Sequence, residues 1–551
     1  MSKATLSIDG LLQANPTDSD KLEWPNPLPS ATTTTTLLYF LLLTWLLFRY
    51  KRQSDGAKSH GTESNLKSIP SPARMPLIGN IYMMRDYQDK PWDGFNQIRK
   101  RYGDIVSLQM GVHSMILISR PDYIKEVLLS KGSVFADRPY FPRHDIVFGG
   151  DREHSLALCS WNNTHRQRRN MCKRGVMPPK ISDRNRLLER LINEHSRNLV
   201  TRLGLELVLE KSDLLFLTGD IFMEFLCSER CSHNDEAYER FNWNCDYIFH
   251  DINKSLLIDF MPYLTYLGIC RSYLRELKAI TDYCHKFISS RIFDPRYEMN
   301  RRIFELEGTR NQGMDIEDRH DYLDEILFEQ LSQSTTMSIE DYKVGFSDLL
   351  AGHSAVSNIL MKVLGHLSLD EEAQSMIYEE AKKVNLGQLD HKPSLPVAEA
   401  ALLEALRIAS SPIVPHVARE DTSIDGYFVP RGSAVLFNSY HLHMSEEYWS
   451  EPRKYDLRRF LVEQFDKDTN EQSYKLNRPK FFNPFSIGLR QCLGFRMVES
   501  ISIAATSHLC LKYKFRADDE ELVKHLLEPR GTVALDPKGR CYKLLLTPRN
   551  D

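Results

Sequence analysis

A short loop near the C-terminus constrains this 551-residue chain more than any other feature. The loop runs from Phe485 to Gly494 and fits the spacing F-x-x-G-x-R-x-C-x-G. Gly488 suits a tight turn with unusual dihedral angles, and Gly494 lets the backbone approach a flat group closely. Arg490 can donate two hydrogen bonds to a carboxylate, and Phe485 would pack beside the sulfur of Cys492. A lone cysteine in a turn is usually an inert buried thiol, but this coincidence of defined positions favours a ligand role.

Two further motifs precede the loop. Glu404 and Arg407 form an E-x-x-R pair on an apolar, helix-like stretch, where positions i and i+3 share one face. Arg459 and Phe460 then end the segment Tyr455–Phe460. An isolated E-x-x-R is a common surface pair, whereas the ordered set of three motifs is much more specific.

This set of motifs resembles that of the cytochromes P450, from about residue 69 to the C-terminus. The resemblance implies a mostly α-helical fold with small β-sheets, a single N-terminal transmembrane helix, and haem b as cofactor. Cys492 would be the axial ligand of the iron, since a thiolate donates electron density that promotes O–O cleavage. The resemblance further implies haem contacts at Phe485, Gly488, Arg490 and Gly494, and a structural network of Glu404, Arg407 and Arg459.

Further candidate haem contacts lie outside the cysteine loop. Trp161 lies where the family has W-x-x-x-R, but His165 is four residues after it and Arg166 is five. Either His165 substitutes for the arginine or the helix begins differently, so Trp161, His165 and Arg166 are all candidates. His416 resembles the position from which other microsomal members reach the second propionate, although a lone histidine is more often structural.

The stretch Ala351–Val356 corresponds to the oxygen-binding helix of the family, usually A-G-x-[D/E]-T-[T/S]. In most members the acid and the threonine help to deliver protons during oxygen activation. Here Gly352 is kept, Ser354 replaces the acid and Ala355 replaces the threonine. Ser354, His353, a substrate hydroxyl or ordered water can take over, because a general acid can act through a bridging water. The catalytic candidates are therefore Gly352, His353, Ser354 and Ala355.

The N-terminal region predicts a membrane anchor. Residues 31–50 contain the apolar run Leu37–Phe48, which is short against the ~20 residues that span a bilayer, but threonines precede it and can extend the helix. Basic residues follow the run, so the positive-inside rule places the C-terminal side in the cytosol. We predict a disordered tail (1–30), a signal-anchor (31–50), a linker (51–68) and a haem domain (69–551) on the cytosolic face of the endoplasmic reticulum. An interfacial segment that does not span is the alternative.

Composition excludes several classes of function. The net charge of −3 gives no reason to expect a nucleic-acid partner. The ten cysteines are scattered without C-x-x-C pairs, which favours reduced thiols over a disulfide scaffold. Apolar and polar residues alternate in 105–119, 423–436 and 542–547 and predict strands there, while most of the remaining chain has helical periodicity.

Three segments, 351–356, 403–418 and 444–452, resemble a narrower group, the Halloween-type P450s (Spook and Spookier) of insect ecdysteroid synthesis. The resemblance implies a membrane-bound monooxygenase acting on a sterol-derived intermediate, in the early steps after 7-dehydrocholesterol. Its partner would be NADPH–cytochrome P450 reductase, with O₂ as co-substrate. The alternatives are a haem-thiolate isomerase or dehydratase that does not use O₂, and a haem protein that binds a sterol or a gas.

Overall fold

The computed structural model describes residues 66–87, 90–307, 321–332, 336–384, 386, 395–466 and 471–549. The predicted tail, the predicted anchor and most of the linker lie outside these ranges. Within them, no helix is both long and apolar enough to cross a membrane. The described part is mostly helical with small sheets, as the sequence predicts.

The α-helices follow one another through the whole described chain. They are α1 (Pro91–Tyr102), α2 (Pro121–Lys125), α3 (Pro142–Val147), α4 (Asn163–Val176), α5 (Asp183–Glu206), α6 (Lys211–Cys227), α7 (Glu236–Ile252), α8 (Leu257–Phe260), α9 (Arg271–Ile288), α10 (Asp294–Glu307), α11 (Tyr322–Leu331), α12 (Ile339–Ala351), α13 (His353–Ser368), α14 (Glu371–Lys382), α15 (Pro396–Ala409), α16 (Ser439–Met444), α17 (Phe495–Lys512) and α18 (Glu520–Leu527).

Side-chain caps fix the start of several helices near the site. The Asn162 side chain accepts the His165 N–H at 2.7 Å and begins α4. Ser338 and Asp341 form a reciprocal capping box at the start of α12. The Glu380 carboxylate of α14 accepts two backbone N–H groups in the first turn of α15, at 2.7 and 3.0 Å. Each cap satisfies donors that the first helical turn leaves without a partner.

The sheets are small and lie at the edges of the helical body. They are built from β1 (Ile105–Met110), β2 (His113–Ile118), β3 (Val208–Leu209), β4 (His416–Val417), β5 (Thr422–Ile424), β6 (Tyr427–Val429), β7 (Ala434–Phe437), β8 (Leu461–Asp466), β9 (Glu471–Leu476), β10 (Tyr513–Ala517) and β11 (Leu544–Pro548).

Strand pairing brings distant parts of the chain together. The largest sheet has the order β1-β2-β7-β4. β1 and β2 are antiparallel, with Ile105 opposite Ile118, whereas β7 runs parallel to β2, with Val435 opposite Ile116. A parallel pair needs a long crossover, and here the crossover contains α2 to α15. β4 then pairs with β7 and places His416 opposite Val435.

The centre of the core is α13. Every residue of this helix from Val356 to Ser368 is buried. It packs against α6, α15 and α17, and a helix buried on all sides lies inside a large core. Residues that keep accessible surface on α12 and α13 are therefore informative about internal space.

Candidate active site

The cysteine loop is a tight turn that leads into α17. A 3₁₀ turn, Gly488–Arg490, precedes Cys492, whose backbone N–H donates to the Phe485 carbonyl at 3.0 Å. Gly488 has φ +79°, and a Cβ on it would lie 2.1 Å from the Leu128 carbonyl oxygen. Only glycine fits this position. The loop motif thus reflects both a left-handed turn and a close backbone approach.

Cys492 lies deep in the protein and nevertheless keeps accessible surface. Burial raises the pKa of the thiol, while the backbone N–H groups of Gly494 and Phe495 and the Arg169 guanidinium act to lower this pKa. Cys492 is exposed, so it borders an internal space. A Cβ on Gly494 would meet no atom within 4 Å. A thiol beside a helix N-terminus and a guanidinium is suited to act as a thiolate ligand.

Arg490 is buried against the segment that precedes α4. Its guanidinium donates to the carbonyls of Ala136 and Cys159 at 2.9 and 2.7 Å. It also lies over the Trp161 ring, 5.1 Å from the centroid. Phe485 is nearly buried, with its ring 6.1 Å from that of Phe495. The structure therefore brings Arg490 and Trp161 together beside the cysteine loop.

His165 takes the inward position on α4, and Arg166 does not. His165 is fully buried, with Nε2 2.7 Å from Nη1 of Arg490 and Nδ1 2.9 Å from the Cys159 sulfur. Burial and the charge of Arg490 lower the pKa of His165 to about 2. The ring is neutral, so Nε2 accepts from Arg490 and Nδ1 carries the proton. Arg166 is exposed.

Two arginines that the sequence did not single out as haem contacts complete a cationic cluster of Arg138, Arg169 and Arg490, in which Arg138 and Arg490 are buried and Arg169 is half-buried. Burial and the charge of Arg490 lower the pKa of both Arg138 and Arg169, the latter to about 10. Arg138 donates to the carbonyls of Ala157, Val414 and Pro415. Among the described residues, no carboxylate forms a salt bridge with Arg138 or Arg490.

Sequence spacing could have identified only one of these two arginines as a candidate. Arg169 is four residues after His165, so the two share one face of α4, and its Nη2 donates to the Gln491 carbonyl beside Cys492. Arg138 stands in no motif. Its place becomes visible only when the fold joins distant segments.

His416 lies at the edge of the same cluster. Its Nδ1 contacts the Phe135 carbonyl at 2.6 Å, while its buried Nε2 has no hydrogen-bond partner among the described residues. Burial and the charges of Arg138 and Arg490 lower the pKa of His416. The uncompensated buried cations call for an anion, whereas Nε2 of a neutral His416, whose Nδ1–H donates to Phe135, can donate to that anion only after protonation. The two propionates of a haem b would supply two such anions, so these residues fit the cofactor that the sequence implies.

The oxygen-binding helix is broken at Gly352, between α12 and α13. The Gly352 N–H bonds the Leu349 carbonyl, and the Ala355 N–H bonds the Gly352 carbonyl, both i to i+3 contacts. From Asp341 to Ser368 the chain is buried except at six positions, which we call the accessible face. They are Lys343, Ser347, Asp348, Ala351, Gly352 and Ala355. Small residues thus leave room on one side of the helix.

The two polar candidates of this segment, His353 and Ser354, do not lie on the accessible face. The Ser354 hydroxyl donates to the Ala351 carbonyl at 3.0 Å, and the side chain is fully buried. His353 packs near the rings of Phe222 and Phe241, and burial lowers its pKa to about 4. The structure places Gly352 and Ala355 on the accessible face and does not place His353 or Ser354 there.

The structural network is assembled from three elements. Arg407 donates to both oxygens of Glu404 at 2.7 Å, and Nε of Arg459 donates to the same carboxylate at 3.2 Å. Glu404 and Arg407 are completely buried. Arg407 also holds the carbonyls of His443 and Pro452, each at 2.7 Å. The network therefore joins α15 to the chain that leads to the cysteine loop.

Comparison with known proteins agrees with this geometry. The family model described as Cytochrome P450 matches residues 69–544. The chain is 31% identical to cytochrome P450 307a1 of Drosophila melanogaster, over 89% of this chain and 91% of the relative. It is 25% identical to the steroid 17-alpha-hydroxylase/17,20 lyase of Oryzias latipes, over 89% and 93%. It is also 25% identical to cytochrome P450 1A1 of Limanda limanda, over 78% and 81%.

The match to the family model covers most of the chain and includes both the cysteine loop and the broken helix. Members of this family are haem-thiolate enzymes that use haem b, and the accessible cysteine and the cationic cluster provide a fitting site. The chain belongs to the cytochrome P450 family and is a monooxygenase of that family.

Proposed function

We propose that this P450 oxidises a sterol-derived intermediate in an early step of ecdysteroid biosynthesis, with O₂ and with electrons from NADPH through cytochrome P450 reductase. The observation that carries the oxidative part is Cys492, which keeps accessible surface inside the protein next to the cationic cluster. Bound haem b would supply oxygen activation and C–H oxidation.

The residues of the chain have separate roles in this proposal. Cys492 ligates the iron, and the N–H groups of Gly494 and Phe495 stabilise its thiolate. Arg490 and Arg138 would hold the propionates, and His416 would add a donor at Nε2 only when it is protonated. Gly352 and Ala355 leave space for a bulky substrate on the accessible face.

The sterol class is supported by the relatives and by the sequence resemblance. One relative is named as a steroid hydroxylase and lyase, and another is cytochrome P450 307a1 of an insect. The segments 351–356, 403–418 and 444–452 resemble insect enzymes of ecdysteroid synthesis.

A reductase partner is supported by the charge of α4. Arg166 and Lys173 are exposed on this helix, and Arg169 of the same helix bonds the residue next to Cys492. An exposed basic surface near the thiolate suits an acidic electron donor.

The test is turnover by the full-length protein, reconstituted with reductase in membranes and supplied with 7-dehydrocholesterol or its oxidised derivatives. We expect products whose mass shows oxygen insertion or dehydrogenation and whose formation requires both NADPH and O₂. Product that requires neither would support an isomerase or dehydratase instead. Sterol binding without any product would support a binding protein.

A further inference from the structure

The accessible face of α12 and α13 carries a single acidic side chain, Asp348. Asp348 is four residues before Gly352 and seven before Ala355, so the three share one side of the helix. The other members of this face near the break are small. An acidic group is unexpected there, because a cavity for an apolar substrate is usually lined with apolar side chains and few polar ones.

Asp348 is deep in the protein and keeps accessible surface. Burial raises the pKa of its carboxyl to about 7, against the opposing effects of the Leu156 N–H and the Arg168 guanidinium. The side chain is nevertheless only half-buried. Cys492 shows the same combination of depth and accessibility. A carboxyl with both properties borders an internal space rather than the outer surface.

A single residue, Leu156, connects Asp348 to Arg490. The Leu156 N–H donates to Oδ2 of Asp348 at 2.8 Å, and the Leu156 carbonyl lies 3.5 Å from Nη1 of Arg490. Oδ1 of Asp348 has no hydrogen bond to any of the described residues. One oxygen therefore positions the loop before α4, and the other is open to a ligand.

We propose that Oδ1 of Asp348 binds an oxygen substituent of the substrate and so orients an otherwise apolar molecule in this internal space. This inference rests on the function proposed above and names the polar contact for its substrate. Above its pKa of about 7 the carboxyl is ionised and only accepts hydrogen bonds, so at the alkaline pH chosen for the experiment the matching group is a hydroxyl that donates to it. Hydrogen bonds to charged groups are the stronger ones and change affinity by about tenfold to a hundredfold.

A role as proton donor at the helix break is disfavoured by distance. Seven residues at 1.5 Å per residue separate Asp348 from Ala355 by roughly 10 Å along the axis. A general acid needs direct hydrogen-bond reach or one bridging water. Contact with a part of the substrate away from the reacting carbon fits the geometry better.

The experiment compares two ligands and three proteins. The ligands are 7-dehydrocholesterol and its 3-methyl ether, which has lost the donor hydrogen. The proteins are wild type, Asp348→Asn and Ser347→Ala. Dissociation constants are measured at alkaline pH, where the Asp348 carboxyl is ionised, from haem difference spectra and, independently of the haem, from retention of tritiated ligand. Ser347 is the matched control, since it lies on the same face and its hydroxyl donates to the Lys343 carbonyl at 2.8 Å.

We expect wild type and Ser347→Ala to bind the hydroxyl ligand at least about tenfold more tightly than the ether. In Asp348→Asn the amide oxygen still accepts the Leu156 N–H, and the amide N–H₂ donates to either ligand oxygen, so the preference should disappear. A merely structural Asp348 would leave the preference unchanged in Asp348→Asn, and that result overturns the inference while the sterol function stands. Failure of wild type to bind either ligand overturns both.

Discussion

Burial decides the charge of the side chains around the cysteine loop. His165 stays neutral beside Arg490 because desolvation and the neighbouring cation both disfavour a second positive charge. Among the described residues, no carboxylate pairs with the guanidiniums of Arg138, Arg169 and Arg490, which remain as cations. A bound dicarboxylate such as haem would relieve this repulsion, so haem binding and stability of this region are coupled.

The ligand role of Cys492 gives the first prediction at this scale. Cys492→Ala removes the only thiol in the loop, so the ferrous-CO complex should lose the absorption band typical of thiolate ligation. The measurement is the CO difference spectrum of purified protein. Cys270→Ala is the control, because Cys270 is an exposed thiol elsewhere. A Cys492→Ala protein that keeps the band would refute the assignment.

Proton delivery gives the second prediction. The Ser354 hydroxyl is buried and bonded to the Ala351 carbonyl, so Ser354→Ala should leave the ratio of hydrogen peroxide to product nearly unchanged. Ala355→Thr places a hydroxyl on the accessible face and should change this ratio by more. The measurement is NADPH consumed, peroxide released and product formed for each protein. A larger rise in peroxide for Ser354→Ala would instead identify Ser354 as the donor.

Secondary-structure elements set the geometry of the site through their ends. α17 begins beside Cys492 without a side-chain cap, so its first N–H groups are left to face the sulfur. The break at Gly352 interrupts the α12–α13 helix where small side chains meet the internal space. In both cases the functional feature is a place where regular helix hydrogen bonding is incomplete.

The buried network of α15 gives a prediction about stability. Glu404→Gln leaves Arg407 and Arg459 without their carboxylate, and breaking a buried ion pair in this way costs about 3–5 kcal/mol. We expect a clearly lower midpoint in urea unfolding followed by circular dichroism. Glu379→Gln on α14 is the control, because Glu379 is exposed and should change stability by less than about 0.5 kcal/mol. Equal midpoints for the two variants would contradict a structural role.

The elements also explain what the sequence could and could not predict. The strands at 105–119 were predictable from alternation, and β1 and β2 lie there. The partners Glu404 and Arg407 were predictable from i, i+3 spacing, and His165 was one of two stated choices. Arg138 and Asp348 were not, because their significance comes from contacts across long stretches of chain, with Val414 and with Leu156.

At the scale of the whole molecule, a second buried cluster joins distant parts of the described chain. Arg143 of α3 donates to the carboxylates of Asp251 at 2.8 Å and Asp259 at 2.8 and 3.0 Å. The Tyr273 hydroxyl donates to Asp251. The cluster therefore ties α3 to α7, α8 and α9, none of which follows α3 directly in the chain.

Removing this cation should loosen those helices together. Arg143→Met leaves two buried carboxylates without a counterion, so we expect faster amide hydrogen exchange in α3 and α8. Arg120→Met is the control, because Arg120 is an exposed arginine whose ion pair with Asp122 is at the surface. Unchanged exchange in α8 would show that packing alone holds these elements.

Membrane attachment involves the whole chain. The apolar run Leu37–Phe48 with basic residues after it predicts that the C-terminus of the full chain is accessible to protease in sealed microsomes. A protected C-terminus would reverse the topology. Deletion of residues 1–52 should weaken attachment while haem uptake continues, because the cysteine loop and the cationic cluster all lie beyond residue 130.

A second exposed apolar segment predicts that some membrane binding remains after that deletion. Tyr266 and Leu267 are 90% and 50% exposed in a segment that also exposes Leu257 and Ile269, and exposed apolar patches often mark membrane or protein contacts. Truncated protein should therefore still float partly with vesicles, and adding Tyr266→Ser and Leu267→Ser should release it. The matched control is Leu205→Ser in the truncated chain, since Leu205 is 89% exposed on α5. If the control releases the protein equally, or if the double substitution releases none, the segment near Tyr266 is not the residual membrane contact.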